Sequence, residues 1–303
     1  MTESMVAPGS IEVRSLDRAR WNVLDLLNWI SRRAVTVQMF CDIDTAEAEK
    51  LLSALSEGGE KITITALLLK AISIAQINHP NSRSYKVPWG YKVVRKEPVA
   101  GFTVERLVDG RPAVFFGSIT DAHKKSLREI AREVAAYGNN DIDSVTQMAK
   151  EHLLSKVPWL LRQIYIAIGL NVPVLRDIIN PATFGLTSLG KFGMKAPCAP
   201  SVTTTIFGIG TMEPKAIVRD NKVQVANMMQ VSLAADLRVL GYYEAAYLFQ
   251  EIKTLVETGL ADHLTEQEKE TLAEAQARTA AQKLPIAVGL RPPVRARRAI
   301  DAA

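Results

Sequence analysis

Cysteine is scarce in this chain: two residues among 303, Cys41 and Cys198, far apart and in no CxxC pattern. That leaves no basis for a disulfide framework or a thiolate metal site, and no metal is expected. Histidine is nearly as rare, with His79, His123, His152 and His263 the four available imidazoles. Aromatics make up 6% of the chain and do not interleave with a basic face, so no nucleic-acid surface is expected. No apolar run reaches the roughly 20 uninterrupted residues of a bilayer span. The opening MTESMVAPGSIEVRS has no apolar run behind a basic flank, so no secretory signal is expected and the cytoplasm is the default location. No internal repeat is visible.

What is present is ordinary for a globular protein: 48% hydrophobic and 23% charged residues, with a net charge of +5. Four arginines near the end, Arg291, Arg295, Arg297 and Arg298, supply much of that charge and read as a solvated tail. Residues 1–13 are expected to be disordered. Helical spacing of Leu16, Trp21, Leu24, Leu27 and Ile30 predicts a helix over 14–31. Alternation from Ala34 to Asp44 predicts a strand, with Thr45 placed to cap a helix through Leu55. Thr63–Ile77 reads as a buried helix stopped at His79-Pro80. Short strands are expected near Tyr91–Arg95, Gly101–Leu107 and Ala113–Ser118, with Asp109-Gly110 as a hairpin turn. A helix starting at Thr120 follows.

Residues 151–180 differ in character. They are strongly apolar but broken by Arg162, Pro173 and Arg176. Three uses stay open for this insert: packed core or subunit interface, an apolar substrate wall or lid, and membrane-surface contact. Strands are then expected at Thr183–Ser188, Val202–Gly210, Lys215–Arg219 and Lys222–Ala234, with a Gly/Pro-rich loop over 189–199 and a turn at Asp220-Asn221. An amphipathic helix over Tyr243–Val256 and a polar one over 265–283 complete the pattern. Strands interleaved with helices argue for an α/β or α+β fold with a mixed sheet. The organisation expected is one domain over 14–260, carrying the 151–180 insert, and a helical then basic, Pro/Arg-containing tail over 261–303.

Three stretches carry a resemblance. The first is AVTVQMFCDIDTAEAEKLLSAL with ITITALLLKAISIAQINHP, and the second is ITDAHKKSLREIAREV. TFGLTSLGKFG followed by APSVTTTIFGIGTMEPKAIVRDNKVQVANMMQVSLAADLRV is the third and most specific. Over roughly residues 14–258 the chain resembles the catalytic domain of the acyltransferase component of 2-oxo-acid dehydrogenase complexes, a relative of chloramphenicol acetyltransferase. The resemblance implies a mixed sheet flanked by helices, assembled as a homotrimer with active sites in channels between subunits. No cofactor would be bound; an acyl-CoA or acyl-carrier thioester would be co-substrate with a small-molecule acceptor. The matched region begins without a lipoyl domain or flexible linker, so the resemblance further implies a free-standing member.

In that family a His of the motif DHRxxxG takes a proton from the attacking group, while a hydroxyl from a neighbouring subunit stabilises the oxyanion. Thr187, with Ser188 beside it, falls where the family places that hydroxyl, and Gly190 and Gly193 match the turn after it. At the motif itself the chain reads Asp236-Leu237-Arg238, with Leu237 in place of the His, Gly241 in place of the usual Asp and Tyr242 in place of the Gly. Leucine cannot accept a proton. Asp236 and Arg238 are expected to form a charge pair at the strand end. His79 reads as structural, His123 as a surface residue at a helix start and His263 as part of the tail. His152, opening the insert, is the candidate substitute base. Tyr242 and Tyr243 suit aromatic packing between subunits. Two functions follow: an acyltransferase with its base unassigned, or a scaffold of the same fold that has turned to binding, assembly or another reaction.

Overall fold

The computed structural model describes residues 21–31, 34–57, 59–108, 111–140, 153–154, 157–200 and 202–282. The expected disordered start, the Asp109-Gly110 turn, His152 and the arginine cluster of the tail lie outside these residues.

A mixed sheet of six strands forms the centre, in the spatial order β1 (Thr36–Asp44), β8 (Lys222–Asp236), β7 (Thr205–Arg219), β6 (Phe184–Ser188), β4 (Val99–Val108) and β5 (Arg111–Thr120). Strand β6 runs parallel to both its neighbours, and the other pairs are antiparallel. Two short strands, β2 (Ser84–Lys86) and β3 (Lys92–Val94), pair separately. Because side chains alternate across a sheet, each strand feeds two environments. On one face Phe102, Leu186, Phe207 and Leu233 are buried against helices. The ring of Phe207 lies 6.1 Å from that of Phe184 and 6.3 Å from that of Phe249.

The helices on that face are α2 (Ala46–Ser56), α3 (Ile64–Asn78), α4 (Leu127–Asn139) and α7 (Tyr242–Glu257). Helix α3 is buried continuously from Ala66 to Gln76, as its run ITALLLKAISIAQIN requires. Its polar residues are answered internally: Lys70 Nζ donates to the Lys125 carbonyl at 2.6 Å, and Thr183 Oγ1 donates to Gln76 Oε1 at 2.6 Å, which fixes the entry to β6. Helix α4 starts at Leu127 rather than at Thr120. Ser126 accepts from the Glu129 N–H, and Glu129 returns the bond to the Ser126 N–H, a reciprocal cap that sets the start.

The last described helix, α8 (Glu266–Gln282), packs on α2. Glu268 is buried, and its carboxylate accepts from the Leu127 N–H at 2.6 Å, capping α4 from a distant part of the chain. Helix α1 (Trp21–Ser31) and the two insert helices, α5 (Trp159–Asn171) and α6 (Pro173–Ile179), lie away from this helical layer. A buried ion pair between Arg162 and Asp25 ties α5 to α1. No helix among the described residues is long and apolar enough to cross a membrane.

Val202–Gly210 and Lys215–Arg219 read as two strands in the sequence but belong to the single 15-residue strand β7, with a register shift between Ile209 and Met212. Beyond Ile209, β7 has no strand paired on its β6 side among the described residues. An edge of this kind tolerates Pro214, which has no N–H to give. Asp220 and Asn221 turn the chain with φ of 51° and 59°, the positive values a tight hairpin needs.

Candidate active site

The sheet face opposite the helical core is built differently. Strand register places Gly185 beside Gly101 and Ile206, and Thr187 beside Gly208, which in turn faces Ser232. Glycines here let another backbone approach. A Cβ on Gly208 would stand 1.8 Å from the Pro197 carbonyl oxygen, and one on Gly210 would stand 1.7 Å from that of Lys195. The loop after β6 is thus laid directly on β7. It is held there by the Thr211 N–H donating to the Met194 carbonyl at 2.8 Å and by the Ser232 hydroxyl donating to the Pro197 carbonyl. Gly190 and Gly193 begin and end the first turn of that loop, Gly193 with φ of +76°.

Between this face, α1 and the insert helices lies a cavity of about 570 Å³. Thr187 and Ser188 stand on its wall, and the Thr103 hydroxyl donates to that of Thr187 at 3.1 Å. Lys191 and Glu105, 3.9 Å apart, also line it.

The end of β8 forms a second centre. The backbone there is fixed on both sides: the Asp236 N–H donates to the Thr204 carbonyl at 2.9 Å and the Leu237 N–H to the Val35 carbonyl at 2.8 Å. Arg238 folds back onto Asp236, with Nε 2.9 Å from Oδ1 and Nη2 2.6 Å from Oδ2. This two-point grip orders the turn and consumes both charges. Leu237, between them, is 39% exposed. Gly241 begins α7, its N–H donating to Glu244 Oε2 at 3.0 Å; that bond and a second from Asn81 hold the Glu244 carboxyl below its usual range. Tyr242 and Tyr243 are exposed and pack edge to face, ring centres 6.0 Å apart.

A smaller cavity of about 160 Å³ lies beside this turn, lined by Asp236, Arg238, Tyr85 and Arg176 among others. The Arg176 guanidinium sits 4.0 Å over the Tyr85 ring, and burial pushes its pKa down to about 10.

Thr187 and Leu237 do not meet within one chain. Thr187 registers through Gly208 with Ser232, two strands away, and Leu237 lies five residues further along β8. At strand dimensions that is roughly 20 Å. Of the histidines among the described residues, none lines either cavity. His79 Nε2 pairs with Glu251 at 2.8 Å. His263 lies in a single 3-10 turn. His123 departs from its expected surface position: its side chain is 12% exposed, 3.5 Å from Glu97, and burial lowers its pKa. Glu97, Asp121 and His123 bring possible metal-ligand atoms within 4.8 Å of one another, but Lys124 already supplies positive charge there, 3.1 Å from Asp121.

Of the cavity wall, the sequence marks the two hydroxyls and, as one of the three open uses of the 151–180 insert, its apolar side. Thr103 carried no signal of its own in an alternating strand, and its pairing with Thr187 depends on parallel register between distant segments.

Residues 169–262, which include β6, the loop on β7 and the whole β8 turn, match the model of the 2-oxoacid dehydrogenases acyltransferase catalytic domain. Over that stretch, about a third of the chain, the sequence carries the signature of that family's catalytic domain. Among curated relatives, the dihydrolipoyllysine-residue acetyltransferase component of the pyruvate dehydrogenase complex of Pseudomonas aeruginosa is 27% identical over 237 residues, 76% of this chain and 37% of that protein. The equivalent component of Rickettsia prowazekii is 22% identical, covering 65% of this chain and 41% of its own length. The chain therefore spans less than half the length of these family members. Among solved structures, the dihydrolipoamide acetyltransferase of Azotobacter vinelandii superposes with a TM-score of 0.64 at 22% identity, covering 84% of this chain and 97% of that one. A probable dihydrolipoamide acetyltransferase from Listeria monocytogenes gives 0.61 at 18% identity, covering 86% and 98%. These likenesses establish the family fold. In the Azotobacter protein a serine, a histidine and an asparagine were investigated for their role in catalysis, the last two standing four positions apart.

Proposed function

We propose that the chain is an acyltransferase, carrying an acyl group from a CoA or carrier thioester to a small-molecule acceptor without the family's histidine. One observation carries this reading: in a domain of an acyltransferase family, the Thr187 hydroxyl stands on the wall of a large cavity with a second hydroxyl behind it. In the step itself the acceptor, ionised by loss of its proton to water, bonds through its thiolate sulfur or enolate oxygen to the thioester carbonyl carbon. The carbonyl oxygen gathers negative charge opposite the Thr187 proton, and the C–S bond breaks to release the thiolate. A preorganised donor at the oxyanion contributes about 10²–10³ in rate.

The other half of the site is altered. Leu237 and Gly241 have the four-position spacing of the Azotobacter histidine and asparagine. Absence of a positioned base costs roughly 10²–10⁴, less than positioning of two substrates supplies. An acceptor that ionises readily, such as a thiol or an enolic hydroxyl, suits such a site. His152, outside the described residues, is the candidate replacement. The roughly 20 Å between Thr187 and Leu237 supports a homotrimer in which the two centres come from different copies. Val218, Val223 and Val225, exposed on the β7–β8 hairpin beyond the reach of β1, offer an apolar contact for a neighbour.

The test is a panel of acyl-CoAs with thiol and enol acceptors, followed by release of free CoA. Thr187→Ala should lower transfer about 10²-fold; an unchanged rate removes Thr187 from the reaction. Leu237→His should raise transfer. A second reading, a scaffold that has left acyl transfer, is favoured by the three departures at Leu237, Gly241 and Tyr242. Failure of every acyl-CoA to bind at millimolar concentration would establish it over the first. Light scattering checks the assembly, for which three chains per particle are expected.

A further inference from the structure

The cavity is larger than a thioester carbonyl needs, and its lining is graded along the strands. At one end stand Thr103, Thr187, Glu105 and Lys191. Two residues back along β6, about 7 Å away, Gly185 and Ile206 begin an apolar stretch that α1 and the insert close with Leu27, Ile30, Ile166 and Leu170. Gly101 and Gly185 lie on the floor, where Ala182 and Ile206 pack over the positions their own side chains would take, and the cavity extends along the strands above them. The insert is shaped to this arrangement. Ile166 and Leu170 are buried on the side of α5 that faces the cavity, while Ile164 and Ile168 are exposed on the other side. The buried Arg162–Asp25 pair holds α5 against α1, so that the two helices form one continuous roof. A volume of about 570 Å³ lies within the range that encloses a small ligand.

We infer that this chamber seats the aliphatic tail of a medium- or long-chain acyl group, its carbonyl end at Thr187 and its methyl end under α1 and α5. The placement of the carbonyl rests on the acyl-transfer reading above; the seat for the tail rests on the chamber alone. The 151–180 insert is on this account a chain-length gauge: it supplies the roof that a short acyl group does not need.

The test uses the full chain and N-phenyl-1-naphthylamine, whose emission rises in apolar surroundings. The dye should bind and be displaced by dodecanoate at a concentration at least tenfold below that needed for octanoate, because each buried methylene tightens binding about two- to fourfold. Acetate should not displace it. Ile166→Trp, which fills the roof, should weaken dodecanoate at least tenfold, whereas Ile168→Lys on the outer side of the same helix should leave it unchanged. Thermal melts verify that both variants fold, and the chain-length series on the unaltered protein stands without them. Displacement that does not depend on chain length overturns the inference, as does a loss confined to Ile168→Lys, which would place the acid on the helix exterior. Length-dependent binding without any transfer from dodecanoyl-CoA would sink the enzymatic reading and leave the chamber; acetyl transfer with no dodecanoate binding would do the reverse.

Discussion

The two faces of the central sheet are made from the same strands and do opposite things. On the helix-backed face, alternate residues such as Phe102, Leu186, Phe207 and Leu233 are large and buried among α3, α4 and α7. The intervening residues are small or hydroxylated: Gly101, Thr103, Gly185 and Thr187 line the cavity, and Gly208 admits the Pro197 backbone. One face spends its side chains on packing, and the other keeps space for something that is not the protein. A one-residue alternation is enough to separate stability from chemistry.

That contrast is open to attack at several points. The largest effect is expected from Phe207→Ala, which removes a ring packed between Phe184 and Phe249 and should cost about 3–5 kcal/mol in urea unfolding. Asp25→Ala removes the buried carboxylate that Arg162 Nε binds; a loss of about 3 kcal/mol is expected, together with weakened dye binding, since the tie between α1 and α5 is lost. Glu268→Ala uncaps α4 and removes a carboxylate whose charge offsets the burial that lowers the Lys70 pKa. About 1–3 kcal/mol is expected from the same measurement. Thr187→Ala, which gives up one hydroxyl contact at 3.1 Å, should cost no more than about 1.5 kcal/mol. If it destabilised the fold as much as Phe207→Ala, the division of labour between the faces would fail. The smallest change is chemical. Cys41, its pKa pushed up to about 12 chiefly by burial, should resist a thiol reagent at pH 8 that labels the exposed Cys198, giving one thiol per folded chain.

Much of this was written in local pattern. The alternation of β1, the unbroken apolar run of α3 and the positive-φ pair Asp220-Asn221 each announce their structure within a few residues. Strand β7 was harder, because Pro214 argues against a strand unless its edge position is known, and edges are a property of the whole sheet. The site divides the same way. Thr187 and the Asp236-Leu237-Arg238 turn stand out through the family's motifs, yet the distance between them is set by register across β6, β7 and β8. The role of the insert was left three ways open, since periodicity gives a helix an apolar side without saying what lies against it. The contacts of Ile166 and Leu170 with the cavity, and the Arg162–Asp25 pair, come from packing between segments about 140 residues apart in sequence.

The carboxylate of Glu268 has a practical corollary. A protein trimmed after residue 260, where the family likeness fades, would keep every strand and the residues named on both cavities but would strip the first turn of α4 of an acceptor and leave Lys70 with Glu129 alone of the two carboxylates that offset its burial. Anyone preparing a minimal version for crystals or assays should retain the chain through Gln282, because the last described helix works as a bolt across the helical layer rather than as an appendage.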